Sequence, residues 1–290
     1  MDYVLHVLVL TCIYAILACS LDLVAGRTGL LSISHAAFWG LGAYTSALLA
    51  IHCGLPFWCG ILVAMVVASV ASFAVSLPSL RLHDDYFVIA TFGFQIILFN
   101  IFNNWMELTR GPLGIPGIPQ PVIFGWHVAT HLEFLILASI FAAFAYFVVW
   151  RITSSPFGRV LHAIREDEVF ASAHGKNTLY FKVTAFGVSA ALAAMAGSLY
   201  AHYITYIDPT SFTVMESILI ISMVIIGGAG STWGPLVGAV VLVMLPEALR
   251  FVGLPSAVAA NLRQIIYGGL LVIMMMFRPR GLVGKYGFNK

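Results

Sequence analysis

The chain has 290 residues, of which 61% are apolar and 9% charged, with a formal net charge of +2 and a mean hydropathy of +0.98. Soluble domains carry roughly 25% charged residues, so composition excludes a soluble globule, a disordered chain and a basic nucleic-acid binder. What remains is an all-α integral membrane protein, a polytopic bundle of transmembrane helices.

A helix needs about 20 apolar residues to cross the hydrocarbon core. Runs of that kind lie near 3–25, 30–52, 56–80, 86–104, 132–151, 180–203, 213–228, 234–252 and 262–278. They predict about nine spans, within a range of roughly eight to ten. The first run has no Lys or Arg ahead of it and no cleavage-like site, so it reads as a retained span. The run 30–52 opens on Ser32, Ser34 and His35, and the run 213–228 is short and ends on Gly227, Gly228, Ala229 and Gly230. Both read as broken or re-entrant helices, which membranes tolerate only against protein or a water-filled cavity. Cys12, Cys19, Cys53 and Cys59 lack metal or redox spacing and read as small buried hydrophobes.

Positive charge orients the set. With the 151–182 loop in the cytoplasm, Arg27, Arg81, Arg151, Arg159, Arg165, Lys176, Lys182, Arg278, Arg280, Lys285 and Lys290 fall inside. Only Arg110, Arg250 and Arg263 fall outside, and the N-terminus lies outside with them. The Pro- and Gly-rich loop 105–131 then faces outward as a stiff, extended segment. It reads equally as a connector and as a surface that contacts a soluble partner or caps a cavity.

The segment 154–177 predicts two short helices joined near Arg165. Ser155 is a cap with Pro156 in the first turn. Phe157, Val160, Leu161 and Ile164 form one apolar face, with Gly158, Arg159 and Arg165 beside it. Glu166, Asp167 and Glu168 suit the positive end of a second helix, and Gly175 its stop. The apolar face must bury against the bilayer or its own bundle, or else dock in a groove of a cytoplasmic partner.

Polar groups inside spans point to function when they recur. Ser32, Ser34 and His35 cluster at one helix start. Thr91 and Gln95 lie one turn apart, followed by Asn100, Asn103 and Asn104. Glu216 and Ser217 sit near a span end. Taken singly each is an interhelical hydrogen bond. As a set, Ser32, Ser34, His35, Thr91, Gln95, Asn100, Asn103 and Glu216 mark a polar translocation path. Three small-residue stripes predict close helix packing: Ala36, Gly40, Ala43 and Ala47, with Gly42 beside them; Gly187 to Ala201; and Gly230, Gly234 and Gly238. Two of them suit packing within the chain, and at least one could face a partner subunit.

Residues 1–290 form a single transmembrane domain. Five runs before the cytoplasmic loop and four after it have the arithmetic of an inverted repeat, with halves 1–152 and 178–280 joined by 153–177. No Walker A, HExxH, GxSxG or GxGxxG motif occurs, and no His or Cys pair has ligand spacing, so neither catalytic residues nor a metal site are expected. Uphill transport would then draw on an ATPase partner or an ion gradient. Asp22 and Glu216, near span ends, are the carboxylates on which a self-sufficient secondary transporter would rely.

Four ordered stretches resemble one family, the LivM-type permease subunits of bacterial branched-chain amino acid ABC transporters. They are GRTGLLSISHAAFWGLGAY (26–44), RLHDDYFVIATFGFQIILFNIFNNWMELTRGPLGI (81–115), GRVLHAIREDEVFASAHGKN (158–177) and GGAGSTWGPLVGA (227–239). The similarity covers roughly residues 20–284. It implies an inner-membrane, non-enzymatic importer subunit for branched-chain or related amino acids. It also implies a second permease of LivH type, two cytoplasmic ATPases that bind ATP and Mg, and a periplasmic binding protein. Residues 158–175 would be the coupling element that docks on an ATPase. Related permeases carry urea and short amides. Two positions depart from the pattern: Gln95, where a Glu is common, and Arg110-Gly111, where a Gly-Gly pair is usual.

Overall fold

The computed structural model describes residues 2–80, 84–123, 126–128, 130–250, 256–278 and 281–283. In chain order its helices are α1 (Asp2–Thr28), α2 (His35–Cys53), α3 (Phe57–Ser79), α4 (Asp84–Asn104), the short α5 (Met106–Thr109), α6 (His131–Thr153), α7 (Pro156–Glu166), α8 (Glu168–Ala173), α9 (Thr178–Ile204), α10 (Val214–Gly227), α11 (Gly234–Arg250) and α12 (Ser256–Phe277). Every apolar run read from the sequence contains a helix, the run 30–52 only from His35 on. Among the described residues six are long and apolar enough to cross a membrane: α1, α2, α3, α4, α6 and α9. The others are shorter where they are apolar. The 14 residues of α10 reach only about 21 Å at 1.5 Å per residue, short of a core about 30 Å thick.

The loop 105–131 is more folded than an extended connector. The strand β1 (Ile115–Pro116) pairs antiparallel with β4 (Tyr206–Ile207), just past α9, and β2 (Val122–Ile123) pairs with β3 (Trp126–His127). Arg110, which stands where a glycine pair was expected, takes a left-handed φ of 60°.

These helices are apolar on all sides, so the hydrophobic effect does not choose which face turns inward; small residues do. Helices α1, α2 and α9 form the centre, with α3 on α9 and with α6, α10 and α11 on α1. A Cβ on Gly42 would land on the backbone of Ala194, and the Ser198 hydroxyl donates to the Gly42 carbonyl at 3.3 Å. Gly40 lies under Phe102 and Phe212, Gly197 under the Trp39 carbonyl, and Gly238 under the Met223 carbonyl, while Gly234 meets Gly228. All three small-residue stripes are buried against other parts of the chain. One correction concerns the cysteines: Cys19 is buried, but Cys53 and Cys59 are exposed at the α2–α3 turn.

Candidate functional site

The polar groups gather first where the chain breaks before α2. Residues 29–34 run without helix between the end of α1 and His35. A helix start leaves orphan N–H groups, and Ser34 does not cap α2 with its own side chain. Side chains from other helices cap it instead. The Ala36 N–H donates to Ser217 Oγ at 3.0 Å and the Ala37 N–H to Gln95 Oε1 at 2.7 Å. The Ile33 N–H donates to Thr91 Oγ1 at 3.2 Å.

Gln95 also accepts from the Ser217 hydroxyl at 3.2 Å and donates through Nε2 to the Phe212 carbonyl at 2.8 Å. One neutral amide thereby serves α2, α10 and the turn before α10. A carboxylate would have no donor for Phe212 unless protonated, so the neutral amide at Gln95 fits this place.

Beside it, Ser32 and Ser34 share a hydrogen bond at 3.0 Å. His35 Nε2 lies 3.1 Å from Ser189 Oγ, and that hydroxyl donates to the Ser20 carbonyl. His35 must therefore donate through Nε2, and its buried Nδ1 has no hydrogen-bond partner among the described residues. The structure thus brings Ser32, Ser34, His35, Thr91 and Gln95 together. Ser20 and Ser189 join them without having been legible in sequence, because a lone serine in a helix carries no positional signal. The cluster is closed and hydrogen-bonded, holding irregular backbone at depth as membranes require.

The remaining path candidates lie elsewhere. Glu216 accepts from the Tyr14 hydroxyl of α1 at 2.9 Å. Asn103 is half-buried near the start of the outer loop. Asn100 is exposed and donates to the Ile96 carbonyl at 2.8 Å. It lines two adjoining grooves on the outer face of α4. One, of about 390 Å³, runs along Ile96, Phe99, Thr213 and Met215; the other, of about 590 Å³, runs along Ile97, Ile101, Asn104 and Trp105.

The second site is at the end carrying 153–177. Ser155 caps α7, accepting from the Gly158 N–H at 3.4 Å, with Pro156 in the first turn. The apolar face of α7 turns onto the chain's own bundle, one of the readings left open by the sequence. Leu161 is fully buried with Leu23 and Ala185, Ile164 is buried, and the Phe157 ring lies tilted against Phe181 with centroids 4.9 Å apart. A Cβ on Gly158 would strike the carbonyls of Ile152 and Thr153.

Asp167 caps α8 by accepting from the Phe170 N–H at 2.9 Å, and Glu168 pairs with Lys182 at 2.6 Å. Arg159 and Glu166 are exposed, Gly175 follows α8 with a φ of 75°, and Arg165 donates to the Gly26 carbonyl. The outward apolar groups are those that sequence reasoning missed. Val169 is 76% exposed and Phe170 61%; a six-residue helix is too short to show a period. Between α7 and α8 opens a groove of about 350 Å³ lined by Pro156, Arg159, Val160, Phe170, His174 and Lys176. Burial, and then the cations Arg27 and Arg165, hold the His162 imidazole below its usual range, with Glu166 opposing them.

Arg81, Arg280, Lys285 and Lys290 lie outside the described residues, as do the side chains of Arg250 and Arg263. Among the described residues no three His, Cys, Asp or Glu side chains converge as metal ligands would.

A family model described as the permease component of the branched-chain amino acid transport system matches residues 3–275. The high-affinity branched-chain amino acid transport system permease protein LivM of Escherichia coli (strain K12) is 35% identical over 94% of this chain and 68% of that protein. LivM of Salmonella typhimurium is 35% identical over the same shares. The permease protein LivH of E. coli is 26% identical over 94% of this chain and 91% of that protein. No solved structure matches.

Proposed function

The chain belongs to the family of permease components of branched-chain amino acid transport systems, and from that premise we propose that it is the membrane-spanning subunit of an ATP-driven importer in the bacterial inner membrane. It carries branched-chain or related amino acids into the cytoplasm and catalyses no reaction itself. Its partners are a second permease of LivH type, two cytoplasmic ATPases that bind ATP and Mg, and a periplasmic binding protein.

The observation that carries this reading is the two-sided α7–α8 pair. One side is packed into the bundle through Leu161 and Ile164; the other presents Val169 and Phe170 beside the groove over Arg159. A soluble ATPase gains a handle on the bundle only through an element that is both exposed and rigidly attached. Phe157, Gly158, Arg159, Leu161, Ile164, Arg165, Glu166, Asp167 and Gly175 build that handle. On the transport side, the grooves around Asn100 form one wall of the path, closed by the second permease. Ser32, Ser34, His35, Thr91 and Gln95 hold the break before α2 that faces it, and Asn103 and Glu216 sit towards the outer mouth. The halves 1–152 and 178–280 shift about 153–177 between outward- and inward-open states, a two-state change driven by differential binding.

The test is uptake of labelled leucine and urea into proteoliposomes holding the full complex, with and without internal ATP. ATP-dependent leucine uptake that Gly158→Trp and Arg165→Glu abolish without loss of assembly supports the reading. Preference for urea moves the cargo to amides. Uptake that ignores ATP and the loop sinks the importer reading and favours a secondary transporter.

A further inference from the structure

Segments far apart in sequence meet at the loop end of the bundle around one carboxylate. Asp22, on α1, is 1% exposed. Its Oδ1 accepts from the Gly230 N–H, in the α10–α11 turn, at 2.7 Å. Its Oδ2 lies 3.6 Å from Arg27 Nε. One helical turn along α1, the Gly26 carbonyl accepts from Arg165 of α7. The approach is close enough that a Cβ on Gly26 would strike both the Asp22 carboxylate and the Gly230 amide, and one on Gly230 would strike the Arg165 guanidinium and the Gly26 carbonyl. Gly230 itself has a φ of +78°. The end of α10 is also held from below: the Leu282 N–H donates to the Ile226 carbonyl at 2.9 Å and the Val283 N–H to the Gly227 carbonyl at 3.0 Å.

A buried carboxylate flanked by cations is a poor device for stability alone, because apolar replacements of a whole buried ion cluster are often neutral or stabilising. It is a good device for registering position, because charge-assisted hydrogen bonds have few alternative arrangements. Asp22 stands where three movable parts touch: α7 through Arg165 and Gly26, α1 through its own backbone, and the α10–α11 turn through Gly230. Among the described residues its hydrogen bond and its ion pair reach neither the α2 break nor the grooves around Asn100.

We propose that Asp22 is a positioning residue that passes displacement of α7 to the α10–α11 turn. When α7 moves, Arg165 is withdrawn from the Gly26 carbonyl. The end of α1, from Asp22 to Thr28, is then free to shift, and it carries the Gly230 amide along through the Asp22 carboxylate. The proposal rests on the reading of α7–α8 as the element that an ATPase moves.

The test uses the full complex in proteoliposomes, with ATP hydrolysis and leucine uptake measured separately. Asp22→Ala removes the acceptor and the charge; Asp22→Asn keeps an acceptor for Gly230 and removes the charge. Spin labels at Lys176→Cys, beyond α8, and Thr232→Cys, in the α10–α11 turn, report whether the two ends move together, in a background where the native cysteines are replaced.

The expected result is ATP hydrolysis within about twofold of wild type, with uptake per ATP down about tenfold or more in Asp22→Ala and less in Asp22→Asn. The label at 176 still responds to ATP while the label at 232 does not. Where Asp22→Ala fails to assemble, Asp22→Asn and its label pair carry the test. Hydrolysis and uptake that fall together at constant ratio, or a 232 label that still follows the 176 label, overturn the role of Asp22 and leave the coupling element standing. A wild-type complex whose 176 label ignores ATP overturns the coupling reading and this proposal with it.

Discussion

At the scale of the residue, Gln95 binds three elements through one amide, and its geometry sets what its loss costs. Truncation to Ala leaves the buried Ala37 N–H and Phe212 carbonyl without the partners they now have at 2.7 and 2.8 Å. A buried group left unsatisfied costs about 1–3 kcal/mol. Gln95→Ala is therefore expected to lower stability by about that amount, read by equilibrium unfolding in mixed micelles; a loss below the error of the method refutes the capping role.

His162 gives a pH dependence whose sign follows from its surroundings. Burial and two arginines disfavour its proton when α7 is docked, so the undocked state binds the proton more readily. The docked state's advantage is complete above the ordinary histidine value of 6.5 and is lost progressively as pH falls from there towards the lowered value of the docked state. Hydrogen exchange of 156–173, corrected for intrinsic rate, is expected to be faster at about pH 5.5 than at about pH 7.5, with the difference gone in His162→Gln.

At the scale of the element, α7 and α8 divide their work between inner and outer faces. Leu161 is fully buried and Phe170 mostly exposed, so the two positions should answer different assays. Leu161→Ala is expected to cost about 2–5 kcal/mol of stability. Val169→Asp and Phe170→Asp should stay within about 0.5 kcal/mol of wild type and still lose most co-purifying ATPase. Equal recovery of ATPase with both aspartate variants removes α8 as the docking face. The groove that Phe170 borders was not readable from sequence, since α8 has only six residues. The cap at Ser155, the hinge near Arg165 and the stop at Gly175 were readable, because each rests on a local backbone need.

At the scale of the whole molecule, opposite ends carry different chemistry. The arginines Arg27 and Arg165 gather with 153–177 at one end, while Leu113 and the β1–β4 pairing lie with the outer loop. The charge rule puts the first end in the cytoplasm. In intact cells, with the native cysteines replaced, an impermeant thiol reagent is expected to label Leu113→Cys and spare Lys176→Cys, with the pattern reversed in inverted vesicles. The opposite pattern inverts the topology and removes the ATPase docking face from the cytoplasm.

Composition and run length by themselves determined that the chain lives in lipid, that it is helical, and where its helices lie. Hydrocarbon leaves backbone polar groups no partner but their own segment, so each run answers locally. Sequence likewise singled out Ser32, Ser34, His35, Thr91 and Gln95 as polar groups out of place. It could not say that they close around the start of α2, because Gln95 and Ser217 reach that start across 58 and 181 residues. Nor could it say that Asp22 and Gly230, 208 residues apart, share a hydrogen bond. Apolar helices have no preferred face in a bilayer, so only tertiary packing over small residues decided which polar groups meet.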